Sequence, residues 1–292
     1  MVRVLVNPAA GRGRSQRALT SLRRFASGID ADLLVSRDAE DLTAQARRAV
    51  ADGVDRLVVA GGDGTFHHAA QGLVGSQCAL GVVSLGRGND YAADLGVPLG
   101  SAEAMQFAVD GPIRSIDAGS VNSRAFTGYC GVGFDGEAAR VAHAAPALFR
   151  GPLTYVYSVV RTLVSFRPPV LTVRYDGGEF EGRAMFAIAC NISRFGGGMR
   201  IAPEARFDDG LLDLIIASEL GRAELLRVFP KVYRGSHVDH PAVRIVRTRS
   251  VTISADRSLT VACDGEPLFQ TDGETVEVSI EPQSLKVIAP GS

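Results

Sequence analysis

The chain has 292 residues, of which 46% are hydrophobic, and its 31 Lys and Arg residues against 32 Asp and Glu residues give a formal net charge of -1 at pH 7. This length is sufficient for two domains that each bury a core. The near balance of charge argues against a nucleic-acid-binding protein, because such proteins carry a marked basic excess. We therefore expect no nucleic acid among its partners.

The cysteine pattern and the apolar runs indicate a cellular compartment. The four cysteines are scattered and form no C-x-x-C pair, so a zinc site is not expected. Residues Val2–Val6 lead straight into a predicted strand without the features of a signal peptide, and no apolar run reaches the ~20 residues that a membrane span requires. We expect a cytoplasmic protein that can also work as a peripheral protein at the inner face of the membrane.

The first part of the chain alternates predicted strands and helices. The strands are predicted at Val2–Val6, Ala31–Val35, Arg56–Ala60 and Leu80–Ser84. The helices are predicted at Ser15–Phe25, Leu42–Ala51 and Phe66–Val74. Such alternation is typical of a parallel α/β sheet, whose ligands bind at the carboxyl ends of the strands. Residues 1–118 are predicted to form a Rossmann-like α/β domain.

The pattern changes after about Ile116. Short strands separated by turn residues are predicted at Ala125–Cys130, Val170–Tyr175, Arg183–Cys190, Leu211–Ile216, Val243–Val246, Ser250–Ser254, Leu259–Cys263 and Thr275–Ile280. Helices are predicted near Leu153–Phe166 and Arg222–Tyr233. This pattern predicts a mostly antiparallel β-sandwich domain over residues 119–283. A last strand is predicted at about 284–290. It is compatible with either domain, and the chain can return there to the sheet of the first domain.

A glycine-rich turn, Gly61-Gly62-Asp63-Gly64-Thr65, follows the third predicted strand. Its glycines let the backbone approach a ligand closely, and Thr65 is predicted to cap the helix that follows. The free N–H groups of a helix start favour phosphate. Asp63 would repel bare phosphate, which suggests a bridging Mg²⁺. The same residues also fit an ordinary strand-turn-helix corner.

Two similar turns follow the first and fourth predicted strands. Their sequences are Asn7-Pro8-Ala9-Ala10-Gly11-Arg12-Gly13 and Ser84-Leu85-Gly86-Arg87-Gly88-Asn89-Asp90. Because the carboxyl ends of parallel strands share one edge of a sheet, we expect the three turns to converge there. Neither the Walker A sequence nor the glycine-rich loop of protein kinases occurs in the chain.

Two acidic turns in the second half are candidates for metal binding and catalysis. Asp264-Gly265-Glu266 follows an apolar strand, where paired carboxylates can serve as a base and a metal ligand. Asp-Gly is also a common hairpin-turn dipeptide. Asp208-Asp209-Gly210 likewise fits either a turn or a source of oxygen ligands for a hard cation.

Together these motifs resemble the catalytic domain of the diacylglycerol kinase and sphingosine kinase superfamily, and most closely the soluble bacterial diacylglycerol kinase-like lipid kinases. The matching segments are Asn7–Gly11, Gly61–Thr65, Gly86–Asp90, Gly196–Gly198 with Ile201–Pro203, Asp209–Asp213 and Asp264–Glu266. The resemblance covers nearly the whole chain, in the family's order and spacing. It implies an enzyme that transfers the γ-phosphoryl group of ATP to a hydroxyl of diacylglycerol or a related lipid.

The resemblance also implies roles for individual residues. Asp63 would organise the catalytic Mg²⁺, and either Asp264 or Glu266 would take the proton from the lipid hydroxyl. Arg206, Asp209 and Leu211 would hold a second, structural Mg²⁺. The residues implied to bind ATP are Asn7, Pro8, Ala9, Ala10, Gly11, Ser36, Gly61, Gly62, Asp63, Gly64, Thr65, Arg87, Asn89 and Asp90. The expected partner is a lipid substrate presented at a membrane surface, and the pattern allows a homodimer.

The chain departs from the family pattern at the nucleotide loops. His67 and His68 stand where the family has Asn and Glu, and Leu85 and Arg87 stand where proline and threonine are common. Two alternative functions are an NAD kinase-like enzyme and a non-catalytic nucleotide- or lipid-binding homologue. The apolar stripe of Leu153–Phe166 fits either a core helix or a helix that meets a membrane or an acyl chain.

Overall fold

The computed structural model describes residues 1–12, 14–86, 88–99, 101–146 and 152–291. It divides into two compact units. The first consists of Met1–Ala118 together with Pro282–Ser292, and the second of Gly119–Glu281.

The first unit contains a parallel sheet in the strand order β2-β1-β3-β4-β15. Its strands are β1 (Val2–Val6), β2 (Asp32–Val35), β3 (Arg56–Gly61), β4 (Ala79–Ser84) and the carboxyl-terminal half of β15 (Val276–Ile288). The register pairs Val4 with Val58 and Leu57 with Leu80, and each of these side chains is at most 1% exposed. Parallel strands are buried on both faces, so near-continuous apolar runs form them.

Helices connect and cover the strands of the first unit. They are α1 (Arg14–Gly28), α2 (Ala39–Ala51), α3 (Asp63–Leu73), α4 (Asp90–Asp94) and α5 (Ser101–Asp110), followed by strand β5 (Ile113–Val121). Leu22 of α1 and Ala104 of α5 share one core cluster with Val58 of β3. Helices α2 and α3 contact each other, with Gly72 set against Ala46. The predicted α/β fold of this part is confirmed, although α4, α5 and β5 were not predicted.

The second unit is built on antiparallel pairing. Its strands are β6 (Arg124–Phe126), β7 (Tyr129–Gly133), β8 (Val170–Tyr175), β9 (Gly178–Cys190), β10 (Leu212–Ser218), β11 (Val243–Thr248), β12 (Ser250–Ala255), β13 (Thr260–Cys263) and β14 (Glu266–Gln270). Its helices are α6 (Phe134–His143), α7 (Pro152–Ser165) and α8 (Arg222–Val232). The mostly antiparallel β fold predicted for this part is confirmed.

Strand β9 joins the two layers of the second unit. Its first half pairs with β8, and its second half pairs with both β7 and β10. The side chains enclosed by these strands form one core, which includes Phe126, Leu171, Leu212 and Val261. Because alternate residues of a strand face opposite sides, the strands contribute apolar residues to this core at every second position.

Two predicted strand boundaries are wrong. The predicted strand Ala125–Cys130 is broken at residues 127 and 128, whose amides bind a side chain instead of a neighbouring strand. The two predicted strands Thr275–Ile280 and Leu285–Ile288 are parts of the single strand β15. Within it, Gln283 has a φ of 53°, and its amide donates to the Asp117 carboxylate at 2.8 Å. The strand is locally irregular at Gln283, and this hydrogen bond satisfies the amide of that residue.

No helix in the described parts of the chain has both the length and the apolar character that crossing a membrane would demand.

The contact of α5 with β4 at Gly81 gives a test of the first unit's packing. A Cβ atom on Gly81 would lie 2.7 Å from the carbonyl oxygen of Ala108 and 2.9 Å from its Cβ. Gly81→Ala is therefore expected to lower the free energy of unfolding by about 1–3 kcal/mol, measured by urea denaturation. Gly28→Ala is the matched control, because a Cβ there meets no atom within 4 Å. Equal stability of the two variants would contradict this packing.

Candidate active site

The glycine-rich turns after β3 and β4 contact each other through their backbones. The amides of Leu85 and Gly86 both donate to the carbonyl oxygen of Gly61, at 2.7 and 3.1 Å. A Cβ atom on Gly62 would lie 3.1 Å from the Cα of Gly86, and one on Gly86 would lie 2.6 Å from the Cα of Gly62. Only glycine permits this approach, which explains the residue type at both positions.

The turn after β1 touches both of the other turns. Asn7 Nδ2 donates to Thr65 Oγ1 at 3.1 Å, and Asn7 Oδ1 accepts from the amide of Ala9 at 3.0 Å. Gly11 has a φ of 63°, and a Cβ atom on it would lie 2.0 Å from the carbonyl oxygen of Leu85. The three predicted turns therefore converge at the carboxyl ends of β1, β3 and β4.

Helix α3 begins earlier than predicted. Gly62, not Thr65, occupies the N-cap position, and the helix starts at Asp63. The amides of Thr65 and Phe66 already donate to the carbonyl oxygen of Gly62. The Thr65 hydroxyl is used in the contact with Asn7. The predicted cap is wrong because the glycines let the chain enter the helix three residues sooner.

Two carboxylates meet beside these turns. A Cβ atom on Gly88 would lie 2.9 Å from Asp63 Oδ2 and 3.4 Å from Asp90 Oδ2, so both oxygens face one position. Burial, and to a smaller extent the charge of Asp90, together raise the pKa of Asp63 to about 6, against the lowering effect of backbone amides. The Tyr91 amide donates to Asp63 Oδ1 at 3.2 Å. Like charges held together favour a bound cation, and carboxylate oxygens are ligands that Mg²⁺ prefers.

Other residues predicted to bind the nucleotide have backbone partners. Ser36 is buried, and its hydroxyl donates to the carbonyl oxygen of Val6 at 3.3 Å. Asn89 has a φ of 52°, and its Nδ2 lies 3.4 Å from the carbonyl oxygen of Gly86. Arg14, at the start of α1, donates to the same oxygen from Nη1 at 3.2 Å. These contacts stiffen the turns and leave the predicted roles as predictions.

The remaining predicted nucleotide-binding residues belong to the same turns. Pro8 and Ala10 lie in the turn after β1, where the Ala10 amide donates to the carbonyl oxygen of Asn7 at 3.2 Å. Gly64 lies in the first turn of α3. Arg87 lies outside the described residues.

The histidine pair that departs from the family pattern lies on α3. His67 is 1% exposed, and its Nε2 lies 2.9 Å from Gln71 Nε2. The rings of His67 and His68 make an edge-on contact with centroids 5.1 Å apart. The carbonyl oxygen of His68 accepts from the hydroxyl of Thr43 at 2.9 Å. His67 is therefore part of the helix packing.

In the second unit, Asp264 holds a turn with its carboxylate. Its Oδ2 accepts from the amide and the hydroxyl of Thr127, at 3.0 and 3.1 Å. Its Oδ1 accepts from the amides of Gly128 and Tyr129, each at 2.8 Å. Each oxygen thus already accepts two hydrogen bonds. Asp264 lies between β13 and β14 with a φ of 52°, a conformation that Asp tolerates better than most residues.

Glu266, the other carboxylate of this motif, is placed differently. It is the first residue of β14, its side chain is 35% exposed, and its Oε2 lies 2.6 Å from His143 Nε2. The structure therefore brings Asp264 and Glu266 together at one turn but gives them different surroundings.

An apolar cavity of about 150 Å³ adjoins this turn through Tyr129 and Gly265. Its lining is almost entirely aliphatic and aromatic, and includes side chains from α6, α7 and α8. Such a lining suits a hydrocarbon chain. Sequence patterns did not reveal the cavity, because its walls come from segments far apart in the chain.

Asp135 is an exception in the lining of this cavity. Among the described residues, neither oxygen of its carboxylate has a hydrogen-bond partner at normal distance and angle. Burial raises its pKa to about 7, although the amides of Gly136 and of Asp135 itself act in the opposite direction. No sequence motif predicted a role for this residue. The feature of the sequence that could have indicated it is a carboxylate placed directly after the apolar strand β7, in the first turn of α6.

The residues predicted to hold a second metal lie close together in sequence but have other partners. Asp209 forms an ion pair with Arg247 and accepts from the amide of Leu211 at 3.1 Å. Arg206 Nε donates to Asp208 at 3.2 Å. Across the described parts of the chain, no group of three or more His, Cys, Asp or Glu side chains is arranged to hold a metal ion. The predicted site remains a prediction, and the pairing of Asp209 with arginine weighs against it.

The buried carboxyl of Asp135 should make stability depend on pH. The folded protein holds its proton up to about pH 7, whereas an unfolded Asp releases it near 3.8, so stability is lost as pH rises between these values. Asp135→Asn carries no charge, and its Tm should exceed that of the unchanged protein by at least about 2 °C at pH 8. The difference should vanish towards pH 4.

Thermal melts across pH 4–9 would measure this effect, with Asp256→Asn, an exposed site, as the control. An Asp135→Asn curve that runs parallel to that of the unchanged protein would show that Asp135 is ionised in the fold.

Comparison with known proteins shows the family of the chain. Residues 1–121 match the diacylglycerol kinase catalytic domain, and residues 128–289 match the YegS C-terminal NAD kinase beta sandwich-like domain. A diacylglycerol kinase of Mycobacterium tuberculosis is 31% identical over 307 residues, covering 99% of this chain and 95% of that protein. One from Bacillus subtilis is 28% identical over 284 residues, covering 94% and 93%.

A solved structure shows the same fold. The crystal structure of a diacylglycerol kinase from Bacillus anthracis superimposes with a TM-score of 0.75 at 21% identity, covering 99% of this chain and 96% of that one. Both domain matches, and a relative above 30% identity across the full chain, support one assignment. The chain belongs to the diacylglycerol kinase family of lipid kinases, enzymes that use ATP to phosphorylate a lipid hydroxyl.

Proposed function

We propose that this lipid kinase acts on diacylglycerol, or on a glycerolipid with the same free hydroxyl beside acyl chains. The observation that carries the proposal is the apolar cavity adjoining the Asp-Gly-Glu turn. A cavity next to a carboxylate suits a substrate that joins a hydroxyl to a hydrocarbon chain. The named relatives, which are diacylglycerol kinases, support the same substrate.

The nucleotide phosphates bind at the three converging turns of the first unit. The start of α3 offers backbone N–H groups and the positive end of a helix dipole. The predicted ATP-binding residues of the turns after β1, β3 and β4 form this surface. Arg14, which is tied to Gly86, adds a positive charge.

Asp63 and Asp90 are suited to hold the Mg²⁺ of the nucleotide. Their Oδ2 atoms converge beside Gly88. Burial and then repulsion by Asp90 raise the pKa of Asp63, and a bound cation would offset both. When bound, Mg²⁺ neutralises charge on the phosphate oxygens during phosphoryl transfer. Asp90 was predicted only as a nucleotide contact, and this pairing gives it a second role.

Glu266 is the better candidate for the base of the two predicted carboxylates. Both oxygens of Asp264 are occupied by the segment from Thr127 to Tyr129, so Asp264 fixes the turn. Glu266 is partly exposed, and only its Oε2 has a described side-chain partner. A base must reach the proton that it removes, and a partly exposed carboxylate suits this role better than one whose two oxygens are both occupied.

The reaction follows from these assignments. Glu266 accepts the proton of the lipid hydroxyl as the hydroxyl oxygen forms a bond to the γ-phosphorus. The bond from that phosphorus to the oxygen bridging the β-phosphate breaks, and ADP leaves with the electron pair. The products are a lipid phosphate monoester and ADP, and positioning with charge neutralisation supplies most of the catalysis.

Helix α7 carries a surface suited to a membrane. Val156, Val160 and Val164 recur at intervals of four residues and are 44%, 48% and 60% exposed. The exposed Arg161 and Arg167 flank them. An apolar stripe beside basic side chains favours peripheral binding to an anionic bilayer, which is where the substrate lies. Cytoplasmic location and a homodimer remain predictions.

The substrate proposal is tested with purified protein, ATP labelled at the γ-phosphate and lipids in mixed micelles. Diacylglycerol should give a labelled phosphatidic acid, identified by its mass, at a higher kcat/KM than monoacylglycerol, phosphatidylglycerol or sphingosine. A preference for sphingosine would contradict the proposal.

Glu266→Gln should lower kcat for lipid phosphorylation by about 10²–10⁴, because the amide cannot accept the proton. Its affinity for ATP, measured by calorimetry, should not change. Glu274→Gln, at an exposed position of the second unit, is the control. A Glu266→Gln variant with normal kcat would remove Glu266 from the role of base.

Asp63→Asn and Asp90→Asn should each raise the Mg²⁺ concentration needed for half-maximal activity by about tenfold or more. Loss of a residue that merely supports a metal ligand already lowers metal affinity by about tenfold, and loss of the ligand itself should lower it further. Asp110→Asn, at the end of α5, is the control. An unchanged Mg²⁺ requirement in both variants would place the cation elsewhere.

A further inference from the structure

A histidine that the family motifs do not include contacts the proposed base. His143 Nε2 lies 2.6 Å from Glu266 Oε2. We propose that His143 is a positioning residue, which orients the Glu266 carboxylate and leaves Oε1 to meet the lipid hydroxyl. This inference rests on the proposed function, in which Glu266 accepts the proton.

The packing of α6 positions His143 beside Glu266. A Cβ atom on Gly136 would lie 2.0 Å from the carbonyl oxygen of Thr260, so the first turn of α6 lies directly on β13. Thr260 Oγ1 also donates to Glu137 Oε1 at 2.7 Å. His143 follows Gly136 by seven residues, about two turns, and returns to the same face of the helix. That face therefore reaches β14, where Glu266 stands.

The contact gives the two carboxylate oxygens of Glu266 different roles. A hydrogen bond from Nε2–H to Oε2 limits rotation of the carboxylate about its χ angles, so that the free oxygen keeps one direction. A glutamate side chain otherwise samples several rotamers, and a base loses efficiency when its reacting oxygen is misplaced. The arrangement parallels the general pattern in which a second group orients the base of a catalytic pair.

Because His143 and Glu266 are both partly exposed, their contact should matter more for activity than for stability. The side chains of His143 and Glu266 are 52% and 35% exposed. Exposed pairs contribute little to the free energy of folding, so removing His143 should leave Tm almost unchanged. A loss of activity without a loss of stability is therefore the signature of positioning.

The test compares two substitutions in the full-length protein, using ATP and diacylglycerol micelles. His143→Ala should lower kcat by about tenfold, because the carboxylate loses its restraint, with the KM values for ATP and lipid unchanged. His143→Gln should restore most of this loss, because its side-chain amide can donate to Oε2. A His143→Gln variant no more active than His143→Ala would overturn the proposal.

A second histidine–glutamate pair in the same unit provides the control. His240 Nε2 lies 3.3 Å from Glu224 Oε1, on α8 and the segment after it. His240→Ala should keep the normal kcat. A decrease equal to that of His143→Ala would show that loss of any such pair disturbs the unit, which would contradict a specific role for His143.

A double substitution separates this inference from the proposed function. If His143 acts through Glu266, adding His143→Ala to Glu266→Gln should produce no further loss of kcat, because residues acting as a unit are not additive. A further tenfold loss would overturn the inference. Normal kcat in Glu266→Gln alone would instead contradict the proposed base. A large loss in Glu266→Gln with normal kcat in His143→Ala would leave the base and reject only His143.

Discussion

The carboxylate of Asp264 holds the turn between β13 and β14 against residues 127–129. Four hydrogen bonds from residues 127–129 end on its two oxygens, and they interrupt what would otherwise be one strand. Charge-assisted bonds of this kind are stronger than neutral ones. The turn that Asp264 fixes sets the first residue of β14, Glu266, and brings Gly265 and Tyr129 to the apolar cavity. The motif therefore combines a carboxylate whose two oxygens fix a turn with one whose described side-chain contact is with His143.

In the first unit, the turns are held by a different kind of contact. There the decisive contacts are between backbones, since Gly62 and Gly86 approach too closely for any side chain. This contact brings Asp63 and Asp90 to one position, where burial and mutual repulsion raise the pKa of Asp63. Glycines thus shape the surface at which we propose that phosphate binds, and they bring together the two carboxylates that we propose as cation ligands.

Local patterns account for the parts of the fold that were predicted correctly. Strongly apolar segments predicted β1, β3 and β4, because a strand buried on both faces needs a nearly continuous apolar sequence. They failed where a side chain competes for backbone hydrogen bonds, as at residues 127 and 128, and where one strand passes through an irregularity, as at Gln283 in β15. Neither cause leaves a local signal, because each partner is more than a hundred residues away.

The sequence by itself determined the two fold classes, the three glycine-rich turns and the Asp-Gly-Glu motif, since each depends on residues that are neighbours in the chain. It left Asp264 and Glu266 as equal candidates. Only the tertiary structure separated them, by assigning residues 127–129 to one carboxylate and His143 to the other. It also paired Asp63 with Asp90 and enclosed Asp135 in an apolar cavity. The acidity and the availability of a carboxylate depend on the groups around it in space, and those groups come from distant parts of the chain.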